Sequence, residues 1–177
     1  FRYVEDILIL CDSVDVENIT TDIIADFKKI NLELHDPIEM PHKSSIGTIG
    51  EKFDYLGYEF KNKIIHKKET NITTARSGSL EKLKESLVSI FTGYKHSKIR
   101  SIDFLTWRLD MRITGCVFQG KSRGWLFFFS EIDDESMLHQ LDLYVEKLKK
   151  RFNVAVNQKS FVRAFHEIAH RRHETTY

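Results

Sequence analysis

The stretch Phe1-Arg2-Tyr3-Val4-Glu5-Asp6-Ile7-Leu8-Ile9-Leu10 sets two adjacent carboxylates inside an otherwise apolar run. It reads as two short strands around Val4-Glu5-Asp6, and the second, Ile7 to Leu10, is a continuous apolar run of the buried kind. Carboxylates at the turn of a buried hairpin are costly unless something cationic sits there. A divalent ion is the natural solution, because Mg²⁺ prefers carboxylate oxygens together with substrate phosphates. The plain alternative is an ordinary acidic hairpin turn.

Outward from this hairpin the chain changes character twice. Asp12 or Ser13 caps a predicted helix over Val16 to Asn31, with Ile19, Ile23, Ile24, Phe27 and Ile30 at helical spacing. Leu32 to His35 alternates and predicts a short strand, after which Pro37 and Pro41 break the chain. Phe53 to Phe60 and Ile64 to Lys67 predict a hairpin with Asn62 near its turn. The polar stretch Thr70 to Ser79 marks a boundary, and beyond it the period is helical. Leu80 to Phe91, Ile102 to Ile113, Asp133 to Phe152 and Ser160 to Arg172 are the expected helices, with a glycine-punctuated loop over Gly115 to Gly124. The aromatic run Trp125 to Phe129 reads as core rather than as a base-stacking platform. The fold class expected is α+β, with a strand-containing part over residues 1–75 and a helical part over 76–177.

Composition narrows the class. The 177 residues include 13 Phe, 6 Tyr and 2 Trp, enough apolar bulk for a folded core. No apolar run approaches the ~20 residues of a membrane span. Two cysteines, Cys11 and Cys116, cannot make a disulfide framework, so a cytoplasmic location is expected. The net charge of +1 hides an asymmetry: residues 1–60 sum to −8, residues 61–100 to +7, and residues 101–177 to +2. A protein holding a metal at one end and phosphates at the other has this arrangement, as does one with an acidic helix beside a basic one.

The hairpin at Tyr3-Val4-Glu5-Asp6 resembles the Tyr-X-Asp-Asp hairpin of reverse transcriptases. Some fifty residues on, Phe53-Asp54-Tyr55-Leu56-Gly57-Tyr58-Glu59-Phe60 resembles the Phe-Leu-Gly hairpin that forms the primer grip in that family. The stretches Arg108 to Gly115, Gly124 to Phe129 and Phe161 to Phe165 resemble the C-terminal part of bacterial defence-associated and abortive-infection reverse transcriptases, so the resemblance covers most of the chain. It implies the end of a polymerase palm in residues 1–75 and a helical thumb in 76–177. The activity implied is RNA-directed DNA synthesis by two-metal nucleotidyl transfer, in antiviral defence. Glu5 and Asp6 would be catalytic ligands of Mg²⁺ or Mn²⁺, and Lys43 would approach the incoming triphosphate. The partners implied are primer-template nucleic acid and dNTPs.

The nucleic-acid contacts expected are Tyr3, Leu56 and Gly57, with Lys61, Lys63, Lys67 and Lys68 around the second hairpin. Arg76, Lys82, Lys84, Lys95, Lys98 and Arg100 follow on or near the first helix of the second part. Such contacts bind phosphates without sequence preference. The alternative is a solvated helix face, with Lys82 or Lys84 paired to Glu81 or Glu85.

The pattern departs from the family at two points. Glu5 stands where the family has Asp, the stronger metal ligand, and a misplacement of about 1 Å can cost ~100-fold in rate. Glu5 therefore leaves three options: an adapted, a weakened or an inactivated site. The family also needs an aspartate from an earlier palm strand and the nucleotide-binding fingers. The chain begins at Phe1, so the expectation is a fragment of a longer polymerase, inactive alone. A non-catalytic nucleic-acid-binding module derived from a polymerase is the alternative.

Two further motifs read as coincidences. Gly115 to Ser122 matches Gly-x4-Gly-Lys-Ser, but a phosphate-binding loop needs a strand before it and a helix after it. His166-Glu167-Ile168-Ala169-His170 matches the zinc-protease helix, yet only His173 and Glu174 remain downstream as a third ligand, neither at the usual spacing. A zinc hydrolase stays a minor alternative.

Overall fold

A computed structural model describes residues 1–65, 68–119 and 121–174. The described fold is α+β. A first hairpin pairs β1 (Arg2–Tyr3) with β2 (Asp6–Ile7), and α1 (Val16–Lys29) follows a short 3-10 turn. A three-stranded antiparallel sheet comes next, in the order β3 (Phe53–Tyr55), β4 (Tyr58–Ile65), β5 (Lys68–Ala75). The rest is helical: α2 (Ser77–His96), α3 (Ile102–Thr114), α4 (Trp125–Phe128), α5 (Glu135–Phe152) and α6 (Phe161–Glu174). A small hairpin, β6 (Cys116–Phe118) with β7 (Lys121–Arg123), links α3 to α4.

The helices form because their apolar residues recur every three to four positions and share one core. Leu83, Leu87 and Phe91 of α2 meet Leu105, Leu109 and Ile113 of α3, Leu138, Leu141 and Val145 of α5, and Phe161 of α6 there, all at most 1% exposed. Each such side chain contributes roughly 1.5–3 kcal/mol by leaving water. Two carboxylates then fix the entry to α6. Asp142 of α5 accepts from the Phe161 amide at 2.6 Å and the Val162 amide at 3.3 Å, and Asp110 of α3 accepts from the Lys159 amide at 2.7 Å. The first amides of a helix have no partner within it, so these acids satisfy donors that would otherwise be orphaned.

The sheet differs from its expectation in register. The turn falls at Leu56-Gly57, and β4 runs unbroken through Asn62, which pairs with Asn71 in the middle of the ladder. Leu56 and Gly57 both have positive φ, 50° and 82°, the signature of a two-residue type I′ turn. The polar stretch expected as a linker is β5 up to Ala75. Its threonines are β-branched and suit a pleated surface, and Ile72, Thr74 and Ala75 are buried.

Two expectations in the first part are corrected. Leu32 to His35 forms no strand, and Ile7 to Leu10 is not a buried run: the strand ends at Ile7, with Ile9 and Leu10 45% and 55% exposed. No residue before Glu59 is buried, and the apolar face of α1 is only half-covered. Nothing among the described residues packs closely enough on this part to bury it. The aromatic run is split: Trp125, Leu126 and Phe129 are core, whereas Phe128 is 59% exposed.

Gly115 and Gly124 stand face to face at the base of the β6–β7 hairpin. A Cβ on Gly115 would overlap the Arg123 carbonyl oxygen and lie 2.9 Å from the Phe127 ring, and its φ of 71° disfavours a side chain independently. Gly115→Ala is expected to destabilise the fold by about 2–4 kcal/mol, combining overpacking with backbone strain. Gly78→Ala, in the first turn of α2 with open space around it, should instead stabilise by about 0.5–1 kcal/mol. Urea unfolding of both variants measures this, and equal stabilities would contradict it.

Candidate functional site

The first hairpin turns through Val4 and Glu5, with Tyr3 opposite Asp6. Its ends are closed by the Leu8 amide donating to the Phe1 carbonyl at 2.8 Å and the Phe1 amino group donating to the Leu8 carbonyl at 2.7 Å. Val4 has φ 53°. A β-branched residue in this region is an outlier, and a two-residue turn with positive φ at its first central position ordinarily has glycine there. The Arg2 Nε donates to the Val4 carbonyl at 2.9 Å, bracing the strained tip. Such strain costs of order 1–3 kcal/mol and gathers at functional sites.

Glu5 and Asp6 are both exposed, and neither side-chain carboxylate has a hydrogen bond or ion pair among the described residues. Four carboxylate oxygens are thus open to a hard cation, and as a donor set they fit Mg²⁺ or Mn²⁺. No group of three or more His, Cys, Asp or Glu side chains placed to hold a metal occurs among the described residues. Exposure removes the desolvation cost that made a cation seem obligatory from sequence. Lys43 lies in the exposed turn after Met40, its amide bonded to the Met40 carbonyl at 2.9 Å, and no described hydrogen bond or ion pair joins its side chain to the hairpin.

The second hairpin is built differently. The Arg76 amide donates to the Gly57 carbonyl at 3.0 Å, closing the turn onto the start of α2. The Tyr58 hydroxyl donates to the Phe128 carbonyl at 2.6 Å, and the Tyr58 ring meets Phe129 edge-on with centroids 5.1 Å apart. On β5, the Thr73 amide donates to the Asp133 carboxylate at 2.6 Å, and the Asp133 amide donates back to the Thr73 carbonyl at 3.1 Å. The Leu56-Gly57 turn is therefore held against the helical part.

The expected nucleic-acid contacts separate into two groups. Lys61 is paired with Glu59 at 2.7 Å, and Lys63 with Asp134 at 3.5 Å. Lys84 and Lys95 lie over the Tyr144 and Phe152 rings at 5.6 Å and 6.0 Å. Tyr3, Lys68, Arg76, Lys82, Lys98 and Arg100 are exposed. Lys67 lies outside the described residues.

Glu59 was not expected as a determinant. It is a buried carboxylate, 6% exposed, held at 2.7 Å by both Lys52 and Lys61. Burial pushes its carboxyl up, and the hydrogen bonds and charges of the two lysines outweigh that and hold it below the usual range. The signal lay in the strand alternation, which puts Glu59 and Lys61 on one face.

The first coincidental motif lacks the geometry its chemistry requires, and the second has its glutamate already engaged. Lys121 and Ser122 lie in strand β7, not at a helix N-terminus. In α6, Glu167 is engaged by Lys159 at 2.8 Å and Arg163 at 3.0 Å. The Lys159 hydrogen bond lowers the Glu167 carboxyl, burial opposes it, and the Arg163 hydrogen bond and the two positive charges tip the balance downward, which makes it a poorer base. His166 faces Glu135 at 3.3 Å, and the His170 side chain lies outside the described residues.

No family model, curated protein or solved structure matches this chain. None of the described helices is long and apolar enough to cross a membrane.

A depressed carboxyl stabilises the fold above its unfolded-state pKa and loses that effect as pH falls through the folded-state value. Lys61→Met is therefore expected to lower stability at neutral pH by about 1–2 kcal/mol. The gap from wild type should shrink as pH drops below the ordinary carboxylate range. Urea unfolding across pH reads this directly, and a gap that persists in acid would show that the lysine acts through packing alone.

Proposed function

We propose that this chain is the end of the palm and the thumb of a reverse-transcriptase-like polymerase. In this reading it holds primer-template nucleic acid and supplies two of the carboxylates of a nucleotidyl-transfer site. The observation that carries the reading is the pair of hairpins. One has a strained tip and two open carboxylates; the other, some fifty residues later, has a Leu-Gly turn anchored on a helical unit. Their order and residue types support the resemblance, and the matching role for residues 76–177 is a thumb.

In this reading Glu5 and Asp6 hold divalent metal at the hairpin tip, and the third carboxylate comes from a palm strand outside residues 1–177. Mg²⁺ or Mn²⁺ held there would polarise the nucleotide's phosphoryl group and ease deprotonation of the primer 3′-hydroxyl. Tyr3, opposite Asp6 on the hairpin, lies against the primer end. The Leu56-Gly57 turn positions the primer strand, and its clamp to α2 and α4 keeps that position fixed while the duplex passes. Lys43, in a loop free to approach, donates a proton to the departing pyrophosphate. The exposed cations Lys68, Arg76, Lys82 and Lys98 neutralise backbone phosphates. The setting is the cytoplasm, in antiviral defence.

A second reading is favoured by one residue. Glu5, a methylene longer than the Asp of the resembled motif, suits a polymerase-derived module that binds nucleic acid without catalysis. The two readings separate on dNTP incorporation by the full-length protein, with Mg²⁺ and then Mn²⁺. Asp6→Asn and Glu5→Gln are expected to reduce incorporation by at least ~100-fold, the scale of a misplaced catalytic group, whereas Glu5→Asp retains it. Incorporation untouched by Asp6→Asn sinks the catalytic reading. Absence of incorporation with either metal, alongside salt-sensitive primer-template binding, moves the assignment to the binding module.

A further inference from the structure

Helix α3 presents apolar residues on two opposite sides. Leu105, Leu109 and Ile113 face the core. Phe104, Trp107 and Met111, also at helical spacing, face solvent, with 57%, 56% and 37% of their surfaces exposed. The Phe104 and Trp107 rings are already stacked on each other, with centroids 5.6 Å apart and planes inclined by 23°. Two large rings held in water and packed on one another form a flat apolar platform that the fold itself does not use.

Cations without carboxylate partners flank this platform. Arg108 and Arg112 lie one turn apart on α3 and both lean toward α2. The Arg112 Nε donates to Ser86 Oγ at 2.6 Å, and Arg108 Nη1 lies 3.7 Å from the position a Cβ on Gly93 would occupy. Among the described residues neither guanidinium has a carboxylate partner. Burial pushes the Arg112 guanidinium pKa down, as expected of a cation partly desolvated without a counter-ion. Lys82 stands one turn before Ser86 on that side of α2 and is exposed, whereas Lys84 and Lys95 lie on the opposite side over Tyr144 and Phe152.

We propose that the α3 stripe of Phe104, Trp107 and Met111, with Arg108, Arg112 and Lys82 beside it, binds an unpaired nucleic-acid strand, its bases stacked on the rings and its phosphates on the cations. The inference rests on the reading that this chain holds nucleic acid, and it adds a single-strand surface separate from both hairpins. Charge decides the occupant. Arg108, Arg112 and Lys82 outnumber the one exposed carboxylate among the described residues on this side of α3, Asp103 one turn before Trp107, so the surface favours an anionic partner, and a single strand supplies π-faces and anions at once. Sequence-tolerant binding is expected, because every base has a face to stack.

The test uses this chain with a fluorescein-labelled oligo(dT), a blunt duplex, phosphatidylcholine–phosphatidylserine vesicles, and sedimentation of the chain alone. Trp107 is exposed and Trp125 is 9% exposed, so oligo(dT) should quench emission in wild type and much less in Trp107→Phe. Phe104→Ala/Trp107→Ala should weaken oligo(dT) binding by about 5–100-fold, the loss of one stacked base, with its melting temperature checked against wild type. Arg108→Ala should reduce the slope of log affinity against log salt by about 1. Oligo(dT) bound as tightly by the double variant as by wild type overturns the inference. If duplex still binds wild type, the polymerase reading stands; if neither nucleic acid binds wild type, both fall. A Trp107 blue shift with vesicles but no response to oligo(dT) overturns it in favour of a membrane surface. A dimer dispersed by the double variant overturns it in favour of a second copy.

Discussion

The arrangement of the second hairpin depends on one joint, where the edge of the sheet meets the helical core. Thr73 and Asp133 exchange two hydrogen bonds there, the Asp133 carboxylate capping a backbone donor of β5 that has no further strand to pair with. Tyr58 makes the second half of the joint through the Phe128 carbonyl. The joint is partly exposed, and the Asp133 carboxylate gives this edge donor a charge-assisted partner in place of water. It fixes the Leu56-Gly57 turn to the helical part, whose shared core is built of apolar side chains. Ala75, nearly fully buried, carries the core directly into the last residue of the sheet.

Much of the helical part was legible in the sequence, because burial there follows the helical period. Leu83, Leu87, Ile90 and Phe91 show the spacing and are buried; Leu138, Leu141, Val145 and Leu148 behave likewise. The sheet was harder to read. Its turn is set by the backbone freedom of Gly57 and by Leu56 accepting positive φ, and neither leaves a trace in hydropathy. Thr70 to Ala75 reads as polar because threonine hydroxyls mask a β-former. The small hairpin between Gly115 and Gly124 was expected as a loop for the same reason: its glycines are there for close backbone approach.

The candidate sites were legible in identity and not in environment. The sequence set Glu5 and Asp6 around a hairpin turn, and in the structure Glu5 is in the turn and Asp6 opens the strand that follows it. Burial of the flanking apolar residues did not follow, because covering them takes a partner surface that periodicity within a strand cannot reveal. Lys61 and Lys63 were read as phosphate contacts from charge alone, and their ion pairs with Glu59 and Asp134 depend on register and on a helix start seventy residues away. Arg108 and Arg112 entered only as part of the Arg108 to Gly115 stretch and not as phosphate contacts, because arginine at helical spacing beside a leucine stripe reads as an ordinary wet face. The solvent side of α3 went unnoticed too, since Phe104 and Trp107 fit a helix from either side.

All of the buried residues lie from Glu59 onward, while the acidic tip lies among residues that bury nothing. Substitution at the tip therefore carries almost no thermodynamic penalty for the helical unit. Glu5 is exposed and makes no buried contact, so the fold itself sets no preference between Glu and Asp at position 5. The choice of side chain at the hairpin and the stability of the core are uncoupled properties of one chain.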